Sequence, residues 1–385
     1  MNKILTTIVI SQFFCTSLWF AGNAIMPEII ANLHLGNDFL AHITSAIQFG
    51  FITGTLTFAV LTIADRFSPS LVFLGSAVLA SLFNVGISFD NINATNILIF
   101  RFLTGFFLAG IYPVGMKIAS DYYQKGLGKS LGFLVGALVL GTAFPYLLKN
   151  FMVNFPYKYV IYSTSILSIL GGAIMYTFVP DGPFRKTGQK LEFNTFLKVF
   201  YHKKFQAAAF GYFGHMWELY AFWAFVPVML KFYKNQFPQL DLNVPLYSFL
   251  IIASGSVACV ISGQISTRFQ PKIIATIALS ASCFCCLISP IFLSQSSSIV
   301  LLIFLFFWGM VVVADSPLFS TLVAQNAPEA SRGTSLTIVN CIGFAITIVS
   351  IQFINAISTQ VDGQYLYTFL AVGPLLGLMA LFRVN

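Results

Sequence analysis

The sequence predicts an all-α membrane protein whose twelve transmembrane helices form two six-helix bundles. Three observations carry that prediction. Of 385 residues, 57% are hydrophobic and only 8% are charged, against about 25% charged in soluble domains, so the usual solvating surface is missing. Apolar runs of about 20 residues recur from one end to the other, which is the length of helix a bilayer requires; a barrel would show alternating segments of about ten. The two halves of the chain also resemble each other at a nearly constant offset. Lipid offers no water to backbone polar groups, so helices that bond internally are the consistent solution.

Run lengths place the spans at 4–30, 39–63, 71–89, 96–119, 128–150, 157–179, 205–230, 245–265, 272–293, 298–323, 333–356 and 363–383. The first follows Lys3 and mimics a secretory signal, but its apolar run continues through Trp19 and Phe20 to Pro27 and reads as an uncleaved helix. The longest polar interruption runs from Pro180 to Lys204 and carries Arg185, Lys186, Lys190, Lys198, Lys203 and Lys204. It divides the chain into a bundle at 1–180, a central loop at 181–204 and a bundle at 205–385. An even span count puts both termini on one side. That side receives Lys3, Arg66, Lys125, Lys129, the loop cations, Arg268, Lys272, Arg332 and Arg383, and the other receives Lys149, Lys158, Lys231 and Lys234. The positive-inside rule makes the richer side cytoplasmic.

Net charge and cysteine usage exclude other classes. The net charge of +8 comes from cations scattered in short loops, with no stripe for nucleic acid. All six cysteines, Cys15, Cys259, Cys283, Cys285, Cys286 and Cys341, lie in apolar runs, so no disulfide framework is indicated. Cys283, Cys285 and Cys286 cluster without a His or an acid in their run and make a poor metal site. No cofactor pattern is visible, and neither a cofactor nor a resident metal is expected.

The repeat is the main organisational feature. Pro27 matches Pro227 at offset 200; Arg66, Phe67 and Pro69 match Arg268, Phe269 and Pro271 at 202; Gly105 and Pro113 match Gly309 and Pro317 at 204. Two parallel six-helix repeats joined by a cytoplasmic loop are the arrangement of a two-bundle transporter with its site between the bundles.

Ionisable groups inside a membrane are functional candidates. His215 and Glu218 lie about 15–20 Å into a core about 30 Å thick, at i,i+3 on one helix face. The imidazole can donate to the carboxylate, so Glu218 is expected to carry the coupling proton, with His215 as its partner or a substrate contact; a buried structural pair is the alternative. Asp315 lies about 24 Å along span ten, two residues before Pro317, where a kink can open carbonyls. It reads as a second member of the proton relay or a contact for a cationic part of the substrate, or else as an acid facing cytoplasmic water. Arg101 is about 8 Å inside span four and could snorkel outward. Lys117 and Asp121, at i,i+4, read as a gate-side ion pair.

With these features the chain resembles the major facilitator superfamily over its whole length. The residues are the Asp65-Arg66 turn with Gly54 upstream, and Arg101, Gly105, Gly110 and Pro113 in span four. Within it, GALVLGTAFP at 136–145, the stretch Gly214-His215-Met216-Trp217-Glu218-Leu219-Tyr220, and Asp315-Ser316-Pro317 followed by Gly333-Thr334-Ser335-Leu336 are most similar to the bacterial nitrate/nitrite porter and cyanate permease branch. Spans two and eight lack that branch's internal arginines, which reads against nitrate itself. The resemblance implies the major facilitator fold, a monomer, a coupling role for Arg101, and a cytoplasmic lock at Asp65 and Arg66. It also implies a cavity lined by spans one, four, seven and ten. Trp19, Asn23, Tyr112, Tyr212, Tyr220 and Trp223 would then supply stacking and hydrogen bonds to a small polar solute, although each alone reads more readily as packing. Gln48 and Asn340 are buried amides that either bridge helices or touch substrate. Gly132, Gly136 and Gly141 permit close helix approach.

The functional expectation is secondary active transport, not catalysis. The chain would move a small polar or anionic organic solute across the bacterial inner membrane in symport with protons, with solute, protons and lipid as its partners. A proton-driven exporter of drugs or siderophores is the alternative. A metal-ion transporter using His215, Glu218 and Asp315 is weaker, because only two of these are local in sequence. A membrane enzyme would need a donor-binding loop at a water boundary, and no phosphate loop or aqueous domain is apparent.

Overall fold

The computed structural model describes residues 3–123, 127–185, 199–328 and 332–383. Lys125, Lys186, Lys190 and Lys198 lie outside the described residues. The chain divides into two compact units, Met1–Leu191 and Glu192–Asn385. Among the described residues every regular element is a helix. Nine helices are long and apolar enough to cross a membrane, Lys3–Thr16 and Leu366–Phe382 are shorter apolar segments, and Lys203–Gln236 is a 34-residue helix. Together they account for twelve spans.

In the first unit, span one is Lys3–Thr16, Ala21–Ala24 and Met26–Leu33; span two is Phe39–Val60; span three is Pro69–Gly86. Span four is Ala94–Leu108 and Tyr112–Tyr122, span five Leu127–Phe151 and span six Lys158–Phe178. Local chemistry starts these helices: Asn93 caps span four by accepting from the Asn96 amide, and Pro69 sits in the first turn of span three. In the second unit, span seven is Lys203–Gln236, span eight Val244–Ile265 behind an Asn243 cap, and span nine Pro271–Leu293. Span ten is Ser298–Ala314 and Ser316–Asn326, span eleven Arg332–Ile357, and span twelve a 3-10 turn at Leu366–Ala371 continuing into Val372–Phe382.

The packing repeats with the sequence. Span one lies against five and six, two against four, and three against four and six; in the second unit seven lies against eleven and twelve, eight against ten, and nine against ten and twelve. The two-four contact is backbone to backbone, because a Cβ on Gly50, Gly54 or Gly105 would collide with the main chain at Phe102, Phe106 or Ile47. Gly309 meets the Ile251 carbonyl in the same way. Both Gly105 and Ile47 map onto that pair at offset 204. Small residues therefore set the helix separation identically in each repeat.

The main departure from expectation is that spans one and four are interrupted, although hydropathy reads each as one run; span ten breaks at Asp315, beside Pro317, where the sequence allows a kink. Pro27 and Pro227 illustrate why sequence alone missed this: Pro27 opens the helix Met26–Leu33, whereas Pro227 lies inside the continuous span seven. Hydropathy reads each run as one span and does not encode which proline opens a new helix.

Enlarging Gly105 to Ala should lower the melting temperature of the detergent-solubilised protein, with a cost of about 1–3 kcal/mol from overpacking. Gly75→Ala, where a Cβ meets open space, should change it by no more than a few tenths of a kcal/mol. Equal melting of the two variants would contradict the close two-four contact.

Candidate functional site

In the second unit, Glu218 is 1% exposed. One carboxylate oxygen, Oε1, accepts from Ser282 Oγ at 2.5 Å, Trp308 Nε1 at 2.6 Å and Cys286 Sγ at 3.2 Å. The donors come from spans nine and ten. Three donors converging on one oxygen stabilise negative charge there, while burial in an apolar bundle opposes it.

His215 does not pair with Glu218 as the sequence suggested. Residues three apart on a helix project about 60° apart, and these two turn to different neighbours. His215 Nδ1 lies 2.8 Å from Asp315 Oδ1 in span ten, with both side chains 1% exposed. This is charge proximity at ion-pair distance more than an aligned N–H···O bond, because these two atoms also fail the directional criterion for a hydrogen bond. The outward atoms of the pair, His215 Nε2 and Asp315 Oδ2, have no hydrogen-bond partner among the described residues. The imidazole is flanked by the rings of Tyr212 and Phe319, each with its centroid 6.0 Å away. Asp315 occupies the break between the two helices of span ten, where its carbonyl accepts from the Leu318 and Phe319 amides. It is fully buried and does not face cytoplasmic water.

In the first unit, Arg101 is fully buried and does not snorkel. Its guanidinium donates to Leu18 O at 3.1 Å, Asn84 Oδ1 at 3.1 Å and Trp19 O. The two carbonyls belong to the non-helical link between Thr16 and Ala21, where Leu18 O accepts from the Ala21 amide only at 3.4 Å, so Arg101 adds a side-chain donor to the interrupted backbone of span one. Asn84 is held in turn, donating to Ser165 Oγ at 3.0 Å and Thr164 Oγ1 at 3.3 Å. The repeat offsets align Leu18 with Glu218 at 200, Asn84 with Cys286 at 202 and Thr104 with Trp308 at 204. Leu18 and Asn84 thus meet a buried cation in the first unit, and in the second their counterparts are a buried acid, Glu218, and one of its donors, Cys286, beside Trp308.

At one end of the first unit Lys117 bridges two acids, reaching Asp65 and Asp121 at 3.2 Å each. The expected Lys117–Asp121 pair is therefore part of a triad. Arg66 turns back to Thr62 Oγ1 at 3.1 Å. Arg185, which the sequence reading treated only as a topology signal, donates to the carbonyls of Asp65 and Phe67 and pairs with Asp181.

The uncharged candidates divide into bonded and packed groups. Asn23 donates to Thr44 Oγ1 at 2.7 Å, and the Tyr212 hydroxyl donates to Asn340 Oδ1 at 2.6 Å. Trp19 packs on Phe51 with centroids 4.9 Å apart, and Tyr220 packs on Trp223 and Phe344 at 5.1 Å. Gln48 is fully buried and Tyr112 is 7% exposed at the start of the second helix of span four. All six cysteines are free and buried. No group of three His, Cys, Asp or Glu side chains able to hold a metal ion occurs among the described residues. Sequence reading missed Asn84, Ser282, Cys286 and Trp308 because their importance lies in partners on other helices. A buried amide such as Asn84 in an apolar run was the one available signal.

A family model described as Major Facilitator Superfamily matches residues 8–351. Among solved structures, the chain is similar to the proton:xylose symporter XylE bound to 6-bromo-6-deoxy-D-glucose, with 14% identity over 99% of this chain and 95% of that one and a TM-score of 0.74. It is also similar to the human organic anion transporter MFSD10 (TETRAN), with 14% identity over 98% of each chain and a TM-score of 0.76. At that identity the likeness is one of fold. No curated protein matches the sequence.

Arg101→Lys keeps the charge and loses the planar fork, so it should destabilise the protein by roughly 2–3 kcal/mol. Lys117→Ala removes a partly exposed rim cation and should cost less than about 1 kcal/mol. Thermal melting of both variants checks this, and an Arg101→Lys protein as stable as the wild type would remove Arg101 as the partner of the span-one carbonyls.

Proposed function

The chain belongs to the Major Facilitator Superfamily, a family of multi-pass membrane transporters, and from that membership we propose that it carries a small polar or anionic organic solute in symport with protons. The bilayer crossed is the bacterial inner membrane, both termini are cytoplasmic, the working unit is a monomer, and transport proceeds by alternating access of the bundles 1–180 and 205–385. The observation that supports this reading is the set of three buried ionisable side chains on spans seven and ten: Glu218, His215 and Asp315. Burying such groups is expensive and worth retaining where a proton must be held away from water.

Glu218 is the coupling carboxyl, and Ser282, Cys286 and Trp308 hold it when charged. The His215–Asp315 pair sits at the break in span ten and relays a proton between the solute side and the bundle interior. Arg101 couples by fixing the shape of span one, and Asp65, Lys117 and Asp121, with Arg66 beside them, hold the cytoplasmic end of the first bundle. Protonation biases the conformational equilibrium only so far as the two states bind the proton differently. The fold shared with a proton:xylose symporter supports symport. The likeness of short motifs to nitrate/nitrite porters and cyanate permeases, and the fold shared with an organic anion transporter, support an anionic solute.

Reconstituted wild type should show solute-dependent inward proton flux within a panel of organic anions, sugars and amino acids. Glu218→Gln, nearly isosteric, should reduce that flux at least tenfold while folding normally. Undiminished flux in the variant would overturn the Glu218 assignment. Proton flux opposed to the movement of lipophilic cations or siderophores would turn the reading to export.

A further inference from the structure

Gln12 lies on the first helix of span one and is fully buried. Neither Nε2 nor Oε1 of its amide has a hydrogen-bond partner among the described residues. Such a group is costly in any protein interior, and more so where the surrounding solvent is lipid. Its backbone carbonyl, by contrast, is satisfied by the Thr16 hydroxyl at 2.8 Å.

The amide lies against a glycine. A Cβ on Gly115, in the second helix of span four, would fall on Gln12 Oε1. Span five packs against both of these helices. There Gly141 meets Phe13 and Thr16, and Thr142 and Tyr146 follow at i,i+4, both buried with hydroxyls lacking a partner among the described residues. At the matching position of the second repeat, offset 200, stands Tyr212, whose hydroxyl is bound by Asn340. One repeat therefore satisfies this position internally, and the other leaves its amide without a hydrogen-bond partner among the described residues.

We propose that Gln12 is a solute-binding side chain and that the group it takes is an uncharged hydroxyl or carboxamide. An amide offers donors on one atom and an acceptor on the other, so its ligand must both accept and donate. A hydroxyl or a carboxamide does both. A carboxylate would satisfy Nε2 but leave Oε1 facing negative charge, and an ammonium would do the reverse. The inference rests on the transport reading and narrows it to solutes that present at least one neutral polar group to span one.

The test is binding, read as ligand-induced thermal stabilisation of the purified full chain, which does not depend on proton flux. The probes are D-ribose, myo-inositol and nicotinamide, with acetate and nitrate as anions lacking both a hydroxyl and a carboxamide. At least one of the first three should raise the wild-type melting temperature, with the apparent Kd weakened at least tenfold in Gln12→Met and in Gly115→Ala. Gln12→Met removes no hydrogen-bond partner among the described residues, so unliganded it should melt at or above the wild-type temperature. Equal binding by wild type and Gln12→Met, or stabilisation by the anions alone or by no probe, overturns the proposal. A destabilised Gln12→Met with unchanged affinity assigns the amide to packing and also overturns it. Binding that depends on Gln12 in a protein without proton flux would leave this inference standing and remove the symport reading.

Discussion

The Arg101 guanidinium set into the backbone of span one is the interaction on which the first unit depends. A helix cannot be interrupted in lipid unless something else satisfies its freed carbonyls. Here a single side chain reaches Leu18 and Trp19 while Asn84 holds it from span three. The interruption gives span one three short helices in place of one, and so places Gln12, Trp19 and Asn23 on separate segments. Span seven, its counterpart, runs unbroken for 34 residues. The carboxylate of Glu218 stands at the position of Leu18 and receives donors from the helices that correspond to Asn84 and Thr104. The same junction of three helices is thus used twice, around a guanidinium that clamps backbone in one repeat and around a buried carboxyl in the other.

The repeats diverge again at the rim. Asp65, Lys117 and Asp121 form a charged triad in the first unit, and the offsets place Thr267, Thr321 and Gln325 at the matching positions of the second. Architecture is common to the two halves because backbone contacts of the Gly105 and Gly309 kind set it. The polar chemistry is specific to each, because a side chain can change without moving the helix that carries it.

That distinction explains what was legible in the sequence. Span number, bundle membership and the repeat follow from apolar run length and from glycine and proline positions, which act locally. The breaks in spans one and four were not legible, since the residues around Trp19 and Ile111 are as apolar as a continuous helix would need, whereas Pro317 marked span ten for a kink. Glu218, His215, Asp315 and Arg101 could be singled out because charge in an apolar run is rare. Their partners could not: Asp315 is 100 residues from His215, and Trp308 is 90 from Glu218. The i,i+3 spacing of His215 and Glu218 suggested a local pair, and tertiary partners on spans nine and ten outcompeted it.

The central claim is that a carboxyl buried in the second unit exchanges a proton during transport, beyond any part it has in packing. Infrared difference spectroscopy of the reconstituted protein, titrated across the physiological pH range, observes the carboxylic acid stretch directly. The account predicts a protonated-carboxyl band that comes and goes with pH in the wild type and is lost in Glu218→Gln. A wild-type spectrum with no carboxyl band changing over that range, in a protein that still transports, would contradict it.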